Sequence, residues 1–281
     1  MSRRSRSRIL LAAVAIAIAV VAFLNYFVPG DPWRIETERT SRRVTSALGR
    51  PLPGTPQLGK LDDRLASQGF VLGAAVMIRI FKAEFELELW LLKAGRFERF
   101  ATYPICRWSG GLGPKLEEGD RQAPEGFYTV DAAAMNPKSR WHRSFNIGFP
   151  NAFDRAHGRT GTFLMVHGGC SSIGCYAMTD PVIDEIWSLM TAAFAAKQQR
   201  VAVQIFPFRL TDVNLARMVG HPWHAFWSEL RIGHELFERD KLPPRVGVCQ
   251  GRYHFEPALT IRDAGVAIEP QCRPRQQPRS L

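Results

Sequence analysis

Residues 71–103 read VLGAAVMIRIFKAEFELELWLLKAGRFERFATY, and the period of two in this stretch decides the fold class. Phe85, Leu87, Leu89 and Leu91 alternate with Glu86 and Glu88, the pattern of a half-buried strand. Strands are predicted over Val71–Ile80, Phe85–Leu92 and Arg96–Tyr103, with Ala94-Gly95 closing a tight hairpin between the last two. Downstream, the Gly-rich loop Ser109–Gly119 precedes extended pieces at Gly126–Asp131, Gly161–Val166 and Val201–Phe206. Helical signals are fewer. A short helix is expected over Leu61–Ser67, and Asp180-Pro181 opens a longer one whose apolar face is Val182, Ile186, Leu189, Met190 and Ala193, with the Asp180 carboxylate capping its first amides. A third starts near Pro222 and runs to about Asp240, after which Pro243-Pro244 stops it and Arg245–Phe255 returns as short strands. The expected class is β-rich α+β, a sheet domain with peripheral helices.

The two ends differ from the body. Ile9 to Leu24 is an unbroken apolar run, extending to Val28 if Asn25 and Tyr26 sit at an interface, which suffices for a ~30 Å hydrocarbon layer. Its basic flank, residues 1–8, should stay in the cytoplasm, so everything after Val28 is expected outside it. The bulky exit through Phe23, Leu24, Tyr26 and Phe27 favours an uncleaved single-pass anchor over 9–28 against a cleaved signal peptide. Residues 29–60 read as a polar and Pro/Gly-rich linker, and residues 271–281, QCRPRQQPRSL, as a disordered basic tail. The net charge is +11, but seven arginines lie before the apolar run or in that tail, and +4 remains without them. So mild a basic body, with 46% apolar and 22% charged residues, excludes a disordered or multi-span chain and argues against a nucleic-acid partner.

Five cysteines, Cys106, Cys170, Cys175, Cys249 and Cys272, leave one sulfur over in an exported chain. If one is kept for chemistry, the other four allow three pairings, or some are simply small buried residues. The informative segment is 166–178, VHGGCSSIGCYAM. It puts an imidazole, His167, at a strand end and a thiol, Cys175, eight residues on. An imidazole can take the thiol proton and later deliver it to a leaving amine. Gly174 lets backbone approach a substrate, and the amides of Gly174, Cys175 and Tyr176 form a candidate oxyanion hole. A backbone carbonyl of Gly168 or Gly169 suffices to orient the imidazole.

This segment resembles the signature of the YkuD-domain L,D-transpeptidases, and within them the YafK-like branch: a His-Gly pair, here His167-Gly168, followed by Ser/Thr-x-Gly-Cys, here Ser172-Ile173-Gly174-Cys175. Pro124-Glu125-Gly126-Phe127-Tyr128 is similar to the strand entry of these domains. The run 106–115, Ser144-Phe145-Asn146-Ile147-Gly148, Ala177-Met178-Thr179-Asp180, Phe206-Pro207-Phe208 and Gly251-Arg252-Tyr253 resemble the branch, with coverage of roughly Val71 to Arg209. The resemblance implies a YkuD-like mixed β-sandwich or barrel over 61–210, a C-terminal extension over 211–258 packed on it, and no cofactor. It implies a Cys175 thiolate attacking a peptidoglycan stem peptide at the L-centre of a diamino acid and expelling D-alanine, with His167 as base then acid, Gly168 orienting it and Ser172 in the signature. A stem amine as acceptor gives a crosslink, a protein lysine gives anchoring, and water gives hydrolysis.

Two departures are present: Ile173 stands where the family pattern has His, and Ala177 where it has Arg or Asn; the His-to-Cys loop is also shorter. Substrate carboxylates must then meet other cations, for which Lys115, Arg107, Arg140 and Arg143 are candidates, with Ser109 and Asn146 from the branch motifs beside them. A metal hydrolase built on His221, His224, His234 and His254 is disfavoured by their spacing, with no His-Glu-x-x-His among them. A catalytically silent peptidoglycan-binding protein is the remaining alternative, with Trp223–Phe237 as either a partner surface or core.

Overall fold

Residues 30–272, together with Val14 and Ile16, are described by the computed structural model of the chain. The expected anchor at 9–28, apart from those two positions, the basic residues 1–8 and tail residues 273–281 lie outside the described residues. Among the described residues no helix is long and apolar enough to cross a membrane.

The stretch 71–103 forms β1 (Val76–Phe81), β2 (Glu86–Lys93) and β3 (Arg96–Pro104). Ala94 and Gly95 both take positive φ, 48° and 84°, as a two-residue hairpin turn requires. The first strand starts five residues later than the alternation suggests, because Gly73 (φ 95°) turns the chain and leaves Val71 and Leu72 exposed. With β5 (Gly126–Val130) and β10 (Val201–Phe206) these strands make a sheet in the order β3-β2-β1-β10-β5, in which β1 and β10 run parallel. A second sheet runs β4-β9-β8-β7-β6, from β4 (Arg107–Trp108), β6 (Met135–Ser139), β7 (His142–Asn146), β8 (Met165–His167) and β9 (Tyr176–Ala177).

One core lies between the two sheets. Ile78, Ile80, Leu87 and Leu89 of the first meet Trp108, Phe145, Val166 and Tyr176 of the second, and helix α4 (Asp180–Ala195) adds the face Val182, Ile186, Leu189, Met190 and Ala193 read from its spacing. Two further helices, α1 (Pro32–Ala47) and the short α2 (Leu61–Ser67), precede the strands, and α3 (Ala152–Ala156) follows β7. The outer face of the first sheet is covered by α6 (His224–Asp240), preceded by α5 (Asp212–Arg217), with Phe81, Phe127 and Phe206 packed against Trp227 and Leu230. Trp223–Phe237 is therefore largely core. The β2 strand is buried on both faces rather than half-buried, since Glu88 is only 1% exposed. Three guanidiniums make that possible: Arg99 and Arg209 at 2.9 Å and Arg79 at 3.9 Å.

Three further expectations change. Half of the expected linker over 29–60 is α1, because Asp31 caps the Trp33 amide, Pro32 starts the helix, and Arg39 lies over Trp108 while donating to Gly110 O. The predicted strand Gly161–Val166 shortens to Met165–His167, since Gly161 and Phe163 both take positive φ. Residues 271 and 272 of the expected tail are tied to a small C-terminal sheet: β13 (Glu269–Pro270) runs parallel to β11 (Arg245–Cys249), which pairs with β12 (Arg252–Glu256), Gln271 N donates to Val248 O and Cys272 is bonded to Cys249.

Candidate active site

The loop 168–175 joins β8 to β9, two parallel neighbours in register Val166↔Tyr176 and His167↔Ala177. A parallel connection normally needs a long crossover. Here it is made in eight residues by positive φ at Gly169 (83°), Cys170 (45°) and Gly174 (141°). The loop is fastened at several points. Cys170 is disulfide-bonded to Cys106, Gly169 N donates to Asp180 Oδ1 at 2.8 Å, and Ser172 Oγ donates to Cys175 O at 2.7 Å. Ser109 Oγ lies 3.1 Å from Ser172 Oγ. Cys249 pairs with Cys272, so of the three open pairings the structure takes 106–170 with 249–272, and Cys175 is the free thiol.

His167 and Cys175 line one cavity of about 570 Å³. His167 Nδ1 is 2.5 Å from Gly168 O, which fixes the proton there and leaves Nε2 as the basic nitrogen. Cys175 Sγ donates to Phe163 O at 3.5 Å. Among the described residues no hydrogen bond joins the thiol to the imidazole, so the direct contact required for a standing thiolate is not made. Burial pushes the Cys175 thiol up, with the Met165 amide and the Lys115 charge offsetting it in part; burial pulls His167 down against the pull of the Gly168 carbonyl. The resting pair is thus a thiol and a neutral imidazole.

The other expected residues separate. Lys115 and Arg140 line the cavity. Lys115 is 3% exposed rather than a solvated charge, its ammonium held by Asp120 Oδ1 at 2.5 Å and Glu117 O at 2.8 Å. Arg107 faces a neighbouring cavity with Arg43, which shares only Ser171 and Ser172 with the first. Arg143 is taken up by Asp184 at 3.3 Å. Asn146 is not at the cavity; its Oδ1 accepts from Gly148 N at 2.9 Å and shapes a turn. Tyr176 lies in the ladder between β4 and β8, which commits its backbone to the sheet and removes it from the oxyanion set. Gly174 N is held by Ser172 Oγ at 3.3 Å, whereas no hydrogen bond among the described residues uses the Cys175 amide. Asp180 does not cap α4, whose N-cap is Thr179, but reaches back to the loop.

Trp141, Arg121 and Phe163 line the cavity without having been singled out. The Trp141 ring sits 6.1 Å from that of His167, at the tip of the β6–β7 hairpin. Its signal was an aromatic inside the polar turn Ser139-Arg140-Trp141-His142. Phe163 is 74% exposed with φ 54°, and an aromatic in that conformation leaves no trace in composition. The histidines weighed as metal ligands pack apart: His221 stacks on Trp227 and His234 meets Phe81 and Phe206 edge-on.

A sheet-rich α+β fold thus brings the free cysteine and a histidine onto one open cavity, the pair of groups that cysteine acyl-transfer chemistry requires. No protein-family model matches the chain. Over 183 residues it is 47% identical to YafK of Escherichia coli (strain K12), provisionally named an L,D-transpeptidase, covering 65% of this chain and 74% of that protein; the O157:H7 counterpart matches equally. The chain belongs to the L,D-transpeptidase family, in its YafK-like branch. Among solved structures, the helical cell shape determining protein Pgp2 of Campylobacter jejuni aligns at 18% identity and TM-score 0.40 over 64% of this chain and 68% of that one. Bd1075 of Bdellovibrio bacteriovorus aligns at 16% and 0.35 over 58% and 60%.

Proposed function

We propose that this protein is a cysteine L,D-transpeptidase acting on peptidoglycan stem peptides. The observation that carries the reading is the convergence of the free thiol Cys175 and His167, with Nδ1 fixed by Gly168 O, on one cavity of the catalytic loop. Substrate entry turns Sγ from Phe163 O toward Nε2. The imidazole takes the thiol proton as sulfur bonds to the carbonyl carbon of the diamino acid, and the unengaged Cys175 amide receives the developing oxyanion. Collapse breaks the C–N bond, D-alanine leaves with the proton from Nε2, and a thioester remains. An acceptor amine then attacks, its proton passes to His167, and Cys175 departs and is reprotonated. Water in place of the amine gives the hydrolase of the same fold, cleaving stem-peptide or protein–peptidoglycan links. Two disulfides support an oxidising compartment, in keeping with an anchor at 9–28 holding the enzyme outside the cytoplasm.

The test is mass spectrometry of muropeptides incubated with the purified protein and with Cys175→Ala. A thioester adduct on Cys175 and release of D-alanine are expected, both abolished by the substitution; His167→Ala should slow acylation by about 10²–10⁴-fold. D-alanine release undiminished in Cys175→Ala would refute the reading.

A further inference from the structure

His167 and Asp180 sit at opposite ends of one peptide group. The carbonyl of the Gly168–Gly169 peptide faces His167 Nδ1 at 2.5 Å, and the N–H of the same peptide donates to Asp180 Oδ1 at 2.8 Å. The peptide unit is planar and conjugated, so fixing its N–H also fixes the direction of its C=O. A carboxylate on the N–H draws that proton and places more negative charge on the carbonyl oxygen, which strengthens the bond the oxygen accepts. We infer that Asp180 is a positioning residue that acts on His167 through the Gly168–Gly169 peptide, holding the Nδ1–H tautomer and raising the basicity of Nε2. The inference rests on the acyl-transfer reading of the site and extends it by a residue that never touches substrate.

The surroundings are shaped for this contact. A Cβ on Gly168 would lie 2.5 Å from Asp180 Oδ1, so glycine there is what admits the carboxylate. Asp180 opens the sixteen-residue α4 with Pro181 behind it, on a helix packed into the core, so the carboxylate is carried by a rigid element. The other charged or titratable groups facing His167 are accounted for. Cys175, Lys115, Glu118, Arg121 and Arg140 share its cavity, with Lys115 paired to Asp120. His142 and Arg143, beside it on β7, both pair with Asp184 of α4.

Asp180→Asn separates charge from geometry, since its amide oxygen still accepts from Gly169 N–H, while Asp180→Ala removes both. Two measurements on each variant distinguish this inference from the function on which it rests. The first is imidazole ¹⁵N titration of His167, which needs no turnover. Asp180→Asn should lower the pH at which His167 protonates, and Asp180→Ala should also shift the ring toward the Nε2–H tautomer. The second is turnover of a stem peptide, where Asp180→Asn should lose about tenfold in kcat with KM little changed, the value of one charge-assisted hydrogen bond expressed as rate. Asp180→Glu should recover part of that loss. An unaltered His167 titration in Asp180→Asn would overturn the inference and leave Asp180 as a loop peg. An altered titration in a protein that turns over no stem peptide would uphold the Asp180 effect and sink the proposed reaction instead.

Discussion

Lys82 and Glu125 are fully buried at the ends of β1 and β5 as a charged pair 2.9 Å apart, whereas Cys175 and His167, flanking the interior strands β9 and β8 of the second sheet, have among the described residues no opposite charge in hydrogen-bond contact. The first arrangement is saturated. Lys82 Nζ donates to Gly113 O, Ala123 O and Glu125, and Glu125 also accepts from Gly113 N and Trp227 Nε1, so the Gly-rich loop is bolted to α6. The second is left open, and burial keeps both groups neutral. One fold thus uses burial for opposite ends: where every donor and acceptor is met, charge is locked and stable; where they are not, both groups rest neutral, as the proposed proton transfer requires.

Removing one member of the saturated pair should have the largest effect. Lys82→Met leaves the Glu125 carboxylate buried without its counter-charge and should cost about 3–5 kcal/mol of stability, read from the urea unfolding midpoint. Glu125→Gln should cost a similar amount, and the double variant less than the sum. The alkylation rate of Cys175 in the folded fraction should not change. A loss below about 1 kcal/mol would mean the pair is not the lock described.

A substitution on the open side should reverse this pattern. Gly168→Ala forces a Cβ against Asp180 Oδ1 at 2.5 Å and His142 Cβ at 3.1 Å, displacing the peptide that orients His167. Acylation of Cys175 should fall by about 10²-fold, or ~2.7 kcal/mol of barrier, with a smaller loss in unfolding free energy. Equal losses in both would erase the distinction between the two regions.

The two regions also differed in how far they could be read from the chain. The first sheet was legible because alternation of Phe85, Leu87, Leu89 and Leu91 is a local property, and so was the α4 face. The His167 and Cys175 segment was legible because its glycines serve backbone shape, a requirement that survives in sequence. What escaped was set by partners distant in the chain. Glu86 and Glu88 read as a solvent face, yet Glu88 is covered because Arg79, Arg99 and Arg209 arrive from three other places. The arginines of 29–60 read as linker, although Arg39 and Arg42 dock α1 through Gly110 O and Ile105 O. Asp180 read as a helix cap because Asp-Pro signals one, while its carboxylate is spent on Gly169.

The resting protonation state sharpens the comparison through pH. Burial raises the Cys175 thiol from 9.0, so at neutral pH it carries less thiolate than an unperturbed cysteine. Alkylation of the free enzyme by iodoacetamide should be slow near neutrality and climb about tenfold per pH unit until the alkaline side of 9. Burial lowers His167 from 6.5, and the proposed reaction needs its neutral form, so the acid limb of kcat/KM should lie below 6.5. Glu88 moves the other way. Burial alone would push it up, but Arg79 and Arg209 hold it below the usual carboxylate range, so its stabilising contribution is present at neutral pH and fades as pH falls through that lowered value. A flat alkylation rate across the neutral range would mean a preformed thiolate, and the open site would then be as charge-locked as the first sheet.

The smallest effect should come from Asn146, expected from sequence at the substrate but placed on a turn. Its Oδ1 holds the Gly148 amide at 2.9 Å, and Gly148 takes φ 86° with its missing Cβ 3.0 Å from Thr129 O. Asn146→Ala frees one donor near solvent and should cost about 0.5–1 kcal/mol in unfolding free energy. KM for a stem peptide should stay at the wild-type value, because the residue lies on β7 away from the cavity that holds Cys175. A rise in KM with stability unaltered would place Asn146 back among the groups that grip the substrate, and the cavity bounded by Lys115, Arg140 and Trp141 would have to extend along β7 to reach it.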